Sequence, residues 1–289
     1  MINRWLSTQV QKEGIGSMKQ EYFDLSKQIT HLAIDKSVMF ELSEIDIAEK
    51  VLRNSNYRNW VSCSKIKFAE LIGDSLVMYK TASFRDWKDY FEMDCRVSKY
   101  LMGNMIDFER TINSRVSYYI TKMIEKNFLS EYEKNEIIQL IQSSQRRRLK
   151  LKGNQKLRNA YNGNKTWEFI VKMTFGEMKQ ILFWLYDNKL EVYLEIVGAY
   201  RFLKNKKYAT ERFDEINKLR NNLFHFRPLN VYITHGNQNK KKLNNKFRKD
   251  AVDFIFHLNR NQKIALELEE IFKNSDNYVK IKNSQCNVG

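Results

Sequence analysis

The sequence predicts an all-α fold. One proline and ten glycines in 289 residues are too few for the frequent turns of a β architecture. Between Ser83 and about Asn127, the residues Val97, Leu101, Met105, Phe108, Ile112, Val116 and Tyr119 recur at spacings of three and four, the mark of a helix with one buried face. Ser130 with Glu133, and Thr174 with Glu177, have the spacing of capping boxes and open two further apolar runs. The length suffices for a substantial core, in one large domain or two modest ones.

In chain order, residues 1 to about 20 are polar, contain Gly14 and Gly16, and read as a flexible lead-in to a helical domain over 21–289. From Tyr22, the positions Leu25, Ile29, Leu32 and Ala33 share one helical face. Ser43-Glu44-Ile45-Asp46 resembles a capping box opening a short helix that turns Ile45, Ala48 and Leu52 inward, and Asn54-Ser55-Asn56 ends it. Residues 57–80 are apolar and aromatic with a mixed period and are assigned to helix. Ser83 caps the long helix, whose polar flank carries Asp107, Glu109, Arg110 and Arg115. The run Ile137, Ile138, Ile141 follows Ser130, after which the composition changes.

Residues 143–165 contain Arg146, Arg147, Arg148, Lys150 and Lys152, then Gly153 and Gly163, with almost no apolar content. They read as an exposed basic loop, either a contact for a phosphate backbone or a solubilising linker. Order returns at Trp167, and helices run through Trp184 and from Val192 to Phe202. The next begins near Thr210 and ends at Pro228. Residues 235–249 form a second basic loop with Lys240, Lys241 and Lys242, and a helix from about Ala251 to Phe272 closes the chain.

A formal charge of +16 and an isoelectric point near 9.6 point to a polyanionic partner, most simply nucleic acid, although an AT-rich genome would also enrich lysine. The three cysteines are far apart and lack any Cys-x-x-Cys pair, which argues against disulfides and zinc and suits a reducing cytosol. No signal peptide and no apolar run of membrane-spanning length is present, so a cytoplasmic protein without a membrane partner is expected. No phosphate-binding glycine loop, His-Glu-x-x-His or carboxylate cluster for two-metal chemistry appears, and no metal or cofactor is expected.

The one stretch that resembles chemistry is Leu219-Arg220-Asn221-Asn222-Leu223-Phe224-His225-Phe226-Arg227-Pro228. At about 100° per residue, Phe213, Ile216, Leu219, Leu223 and Phe226 form a buried stripe, Arg220 falls inside it, and Asn217, Asn221 and His225 line up beside it. An arginine in an apolar stripe needs an anion. Either an internal acid supplies it, with Glu109 the candidate, or the stripe borders a cleft that admits a phosphate. Pro228 disfavours helical geometry at Arg227, which stops the helix there and leaves His225 in the last turn, positioned as a general acid. Of the other histidines, His31 and His257 sit on helices without polar company, and His235 lies in a glycine-containing basic loop.

Taken together, several stretches resemble the Abi-like (AbiD/AbiF) family of abortive-infection proteins, within the HEPN superfamily of helical ribonucleases. They are Lys27-Gln28-Ile29 with Leu32; Ala48 with Leu52 and Asn56-Tyr57-Arg58; Asp94 and the long helix with Phe108-Glu109 and Arg115; Trp167 with Thr174-Phe175-Gly176; and Arg220-Asn221 with His225. The resemblance implies a HEPN-type helical bundle with additional helices and two basic loops. It implies a metal-independent endoribonuclease active in antiphage abortive infection, whose motif maps onto Arg220, Asn221 and His225. His225 would transfer protons and Arg220 would stabilise the developing phosphorane charge, with Asn221 orienting either the histidine or the phosphate. A homodimer bringing two motifs into one cleft is also implied, as is a small structured noncoding RNA partner. Phe224 and Phe226 stand where the family often has a small residue and a second histidine, so the pocket is shaped differently. A non-catalytic RNA-binding protein of the same fold is the alternative, and a helical scaffold a third reading.

Overall fold

The computed structural model describes residues 24–72, 76–152, 170, 173–198, 200, 203–204, 206–229 and 261–286. The chain divides into two compact units. One gathers Met1–Leu101, Asn221–Asp250 and His257–Gly289, the other Met102–Arg220 and Ala251–Phe256. Helices dominate both, as the scarcity of proline and glycine requires. The lead-in over 1–20 and the second basic segment over 235–249 lie outside the described residues.

The first unit opens with α1 (Leu25–Asp35), capped by Asp24, whose carboxylate accepts the Ser26 N–H at 2.8 Å. Ser37, at φ 53°, turns the chain into the two-residue strand β1 (Val38–Met39). A 3-10 turn, Leu42–Glu44, precedes α2 (Ile45–Asn54), and here Glu41 rather than Ser43 forms the capping box with Glu44. That shift follows from the extra turn: the orphan N–H groups begin at Leu42, so the cap must stand one residue before it. Asn56 caps α3 (Tyr57–Phe68).

Residues beyond Phe68 depart from the helix assigned there. Strands β2 (Ala69–Ile72) and β3 (Leu76–Tyr79) pair antiparallel, and β4 (Ala82–Ser83) pairs parallel with β1. Gly73-Asp74 between two apolar runs is the hairpin signal that the mixed period concealed. The long helix α4 (Phe84–Glu125) then starts where Ser83 and Asp86 exchange backbone and side-chain hydrogen bonds. The core of this unit is aromatic. Trp60, fully buried, lies stacked at 5.5 Å on Trp87 and 5.7 Å on Phe84, while Phe68 stacks on the other side of the cluster at 5.3 Å from Trp87.

In the second unit α4 buries Met105, Phe108, Ile112, Val116 and Ile120. Tyr119, expected in this stripe, is half-exposed, with its hydroxyl hydrogen-bonded to Glu195, and Ile120 is buried beside it. The helix ends on a left-handed Asn127 (φ 52°), with Phe128 donating to the Met123 carbonyl at 2.9 Å. Next come α5 (Glu131–Lys152), α6 (Phe175–Asn188), α7 (Leu190–Val197) and α8 (Lys206–Phe224). The boxes at Ser130 and Thr174 form as their spacing predicts. Phe175 lies 5.7 Å from both Phe108 and Phe213, and Tyr200 meets Phe108 edge-on at 4.7 Å. Arg115 donates to the Ile196 carbonyl at 2.9 Å, an orphan acceptor at the end of α7. Gly198 leaves room for it, since a Cβ there would stand 3.2 Å from the same guanidinium nitrogen.

Three boundaries differ from expectation. Helix α5 continues through Lys152, so 143–152 is helical; arginine, lysine, leucine and glutamine are all good helix formers, and polarity all round does not forbid a helix. Helix α7 stops at Val197 rather than Phe202. The closing helix is described from Gln262 to Cys286 (α9), well past Phe272, and it packs on α3 through Lys67–Glu270 at 2.9 Å.

The Ser130 box gives a pH signature. Lys189, 2.8 Å away, and the Ser130 N–H hold the Glu133 carboxyl down to about 2. Because its folded value lies below the ordinary value of 4.5, its contribution is complete above that pH and is lost as pH falls through about 2. Glu133→Gln should therefore flatten the fall in melting temperature across that window and leave its slope above pH 5 unaltered to within roughly the error of a melt.

Candidate functional site

Helix α8 buries Phe213, Ile216, Leu219 and Leu223, so the stripe read from the sequence is real over four of its five members. Arg220 flanks it, part-buried, and its Nε donates to Glu109 Oε1 at 2.9 Å. Both groups belong to the second unit, and the arginine expected to need an anion has one. Glu215, buried to 1% exposure on the same helix, pairs with Lys218 at 2.7 Å and had no signal beyond its position near the stripe's edge.

The boundary between the units falls between Arg220 and Asn221. On its far side the helix ends at Phe224, three residues ahead of the stop set by Pro228. The reason is a Schellman turn: Phe226 donates to the Leu223 carbonyl at 3.0 Å and Arg227 donates to the Asn222 carbonyl at 3.1 Å. His225 is thereby the C-cap residue and Phe226 the residue after it, in left-handed geometry at φ 51°. Glycine usually stands there, and an L side chain costs about 1 kcal/mol. Phe226, expected in the buried stripe, is 76% exposed, because the reversal of the backbone swings it off the helix.

Four further contacts fix the turn within the first unit. Asn222, buried, donates through Nδ2 to the carbonyls of Arg227 and Pro228, each at 3.1 Å. Asn59 on α3 donates to the Phe226 carbonyl at 2.9 Å. Asp94 on α4, only 3% exposed, accepts the Leu229 N–H on both carboxylate oxygens at 3.2 and 3.0 Å. The Cys63 thiol also hydrogen-bonds to Asp94, and burial first and that carboxylate second push it well above its ordinary range, which removes it as a nucleophile.

What remains at the surface of the turn is Asn221, His225, Phe226 and Arg227, all exposed. Two members of the predicted set, Asn221 and His225, are thus brought onto one surface of the first unit, one helical turn apart, while Arg220 is described within the second. Among the basic residues, Arg146, Arg147, Arg148, Lys150 and Lys152 stand on the last turns of α5 rather than in a loop, and Lys240, Lys241 and Lys242 lie outside the described residues. His31 does have polar company: it pairs with Asp35 one turn on. His235 and His257 are outside the described residues. Among the described residues no group of His, Cys, Asp and Glu is arranged to hold a metal ion, and no helix is long and apolar enough to cross a membrane. No family model, curated protein or solved structure matches the chain.

Sequence reasoning passed over Asn222, Asn59 and Asp94 as parts of this arrangement. Asn222 follows Asn221 and looks equivalent to it until the turn type is known.

Two stability experiments follow. Asp94→Asn places an amide donor against the Leu229 N–H and should lower stability by about 1–3 kcal/mol in urea denaturation. A loss under half that range would mean that solvent already satisfies Leu229. A double-mutant cycle on Arg220→Ala and Glu109→Ala should give a coupling on the order of 1 kcal/mol, the upper end of what surface pairs provide, since both groups are part-buried. Additive losses would show that the pair contributes no net attraction.

Proposed function

We propose that the chain is a metal-independent endoribonuclease of the HEPN type, acting in the abortive-infection class of antiphage defence. The observation that carries this reading is the exposed His225 at the C-cap of α8. It stands in a turn that is fastened at Asn59, Asn222 and Asp94, with Asn221 exposed beside it. A proton-transfer group is effective when its position is set before substrate arrives, and the backbone that carries this one is tied down by hydrogen bonds. The charge of +16 fits a polyanionic substrate, and the resemblance carried by Asn56-Tyr57-Arg58, Asp94, Phe108-Glu109 and Arg220-Asn221 with His225 supplies the reaction class.

In that reaction the 2′-hydroxyl of RNA attacks the neighbouring phosphorus, the bond to the 5′ oxygen breaks, and a 2′,3′-cyclic phosphate and a 5′-hydroxyl remain. One proton leaves the 2′ oxygen and one reaches the 5′ oxygen. His225 would handle one of these, and in a homodimer His225 of the partner subunit the other. Arg220 would meet the charge that develops on the phosphorane oxygens, and Asn221 would orient the phosphate. A structured noncoding RNA that binds the basic surface would regulate such an enzyme in its cell.

One observation favours a second reading, a non-catalytic RNA-binding protein. Arg220 is already engaged by Glu109, so a phosphate must share or displace that acid.

The deciding experiment uses purified protein in EDTA with single-stranded RNA. Cleavage should persist in the chelator, yield cyclic phosphate ends, leave DNA intact, and fall by at least about a hundredfold in His225→Ala, the usual scale for a general acid–base residue. Salt-sensitive RNA binding with no cleavage in the wild type would establish the second reading instead.

A further inference from the structure

The left-handed, exposed Phe226 has no structural benefit that accounts for it. Glycine would serve the Schellman turn without strain, and asparagine does so at the end of α4, where Asn127 (φ 52°) holds the matching position. A ring that is 76% exposed buries little apolar surface to offset the strain. Nor is its backbone loosely placed. The carbonyl of Phe226 accepts from Asn59 at 2.9 Å, its N–H is used by Leu223, and the next residues are tied down by Asn222 and Asp94. The backbone therefore carries an exposed aromatic ring from a fixed point. Strain retained at a position that its surroundings fully determine is a mark of function.

The setting of the ring selects the occupant. His225 and Arg227 flank it, both exposed, and Asn221 is exposed one turn before. Arg58, beside Asn59 on α3, is exposed as well. A face for a second copy of this chain would set the ring among exposed apolar side chains; the exposed residues next to Phe226 in the turn, and next to Asn59 on α3, are polar or charged. Bases with phosphates on either side are what such a surface accommodates.

We propose that Phe226 is the stacking platform for a base of single-stranded RNA, seating the nucleotide next to His225. The inference rests on the reading of this surface as RNA-binding and adds the residue that positions and selects the substrate. A stacking platform accepts every base but requires it unpaired, so the substrate is single-stranded RNA, or a loop, rather than a duplex.

The test uses a short single-stranded RNA with 2′-O-methyl riboses, which cannot be cut, carrying 2-aminopurine, whose fluorescence is quenched when it stacks. The wild-type protein at low salt should bind it with quenching and should bind the matching duplex more weakly. Phe226→Gly removes both ring and strain. It should melt about 2 °C higher, bind the probe about tenfold more weakly, and lose the quenching, whereas Phe226→Trp keeps both. Equal affinity and quenching in Phe226→Gly would overturn the platform, as would a failure of the wild type to bind the probe. So would conversion of a dimer to monomers by Phe226→Gly with RNA affinity unchanged, which would make the ring a contact between copies. Because the probe resists cleavage, the two readings separate: quenching through Phe226 in a protein that leaves ordinary RNA uncut retains the platform and removes the nuclease.

Discussion

Burying a carboxylate is unfavourable unless hydrogen bonds replace the water it loses, and at Asp94 the geometry of the candidate site follows from that requirement. Asp94 meets it with the Leu229 N–H, the Cys63 thiol and, at 3.4 Å, the Ser98 hydroxyl. Leu229 is thereby held against α4, and the residues between Leu229 and the end of α8 have only a tight reversal available. The Schellman turn is that reversal, and Asn222 closes it by donating to the two carbonyls that the reversal exposes. A buried acid on one helix thus determines where another helix ends and which residues its end presents.

The same long helix anchors the motif in each unit, by different physics. In the first unit Asp94 binds backbone; in the second Glu109 binds the guanidinium of Arg220. The first contact sets geometry, since a backbone N–H has nowhere else to go once buried. The second sets charge, since it satisfies a cation that lies beside an apolar stripe. Removing Glu109 would leave Arg220 able to recruit an external anion in its place. An arginine held by a part-buried acid is a structural element, and under the proposed function it would also meet a phosphate that competes well enough.

Much of this was legible in the sequence, for reasons that can be named. The buried face of α4 and the boxes at Ser130 and Thr174 depend on local spacing alone, and apart from Tyr119 they appear as read. Arg220 was marked as an arginine needing an anion because the helical wheel is itself local, and Glu109 is the acid it meets. Three of the differences share one cause. The hairpin after Phe68, the cap at Glu41, and the exposure of Phe226 are all decided by where the chain reverses, and reversal depends on contacts distant in sequence. Phe226 continues the apolar pattern of α8 without a break; only Asp94, more than a hundred residues away, shows that the helix does not reach it. The polar run after Ser143 failed differently: charge was taken for irregularity, although its residues favour helix.

Asn127 and Phe226 occupy the same position in the same kind of turn, so the turn cannot explain the choice of phenylalanine. Packing cannot either, because the ring is exposed. When local geometry and burial both fail to account for a side chain that is itself unfavourable, what remains is something outside the chain that meets it. The exposed polar and charged residues next to it in the turn, Asn221, His225 and Arg227, limit what that can be. They would leave a hydrophobic protein surface with unpaired polar groups, and they suit a ligand that alternates flat, stackable faces with negative charge. Single-stranded nucleic acid has that alternation along its whole length.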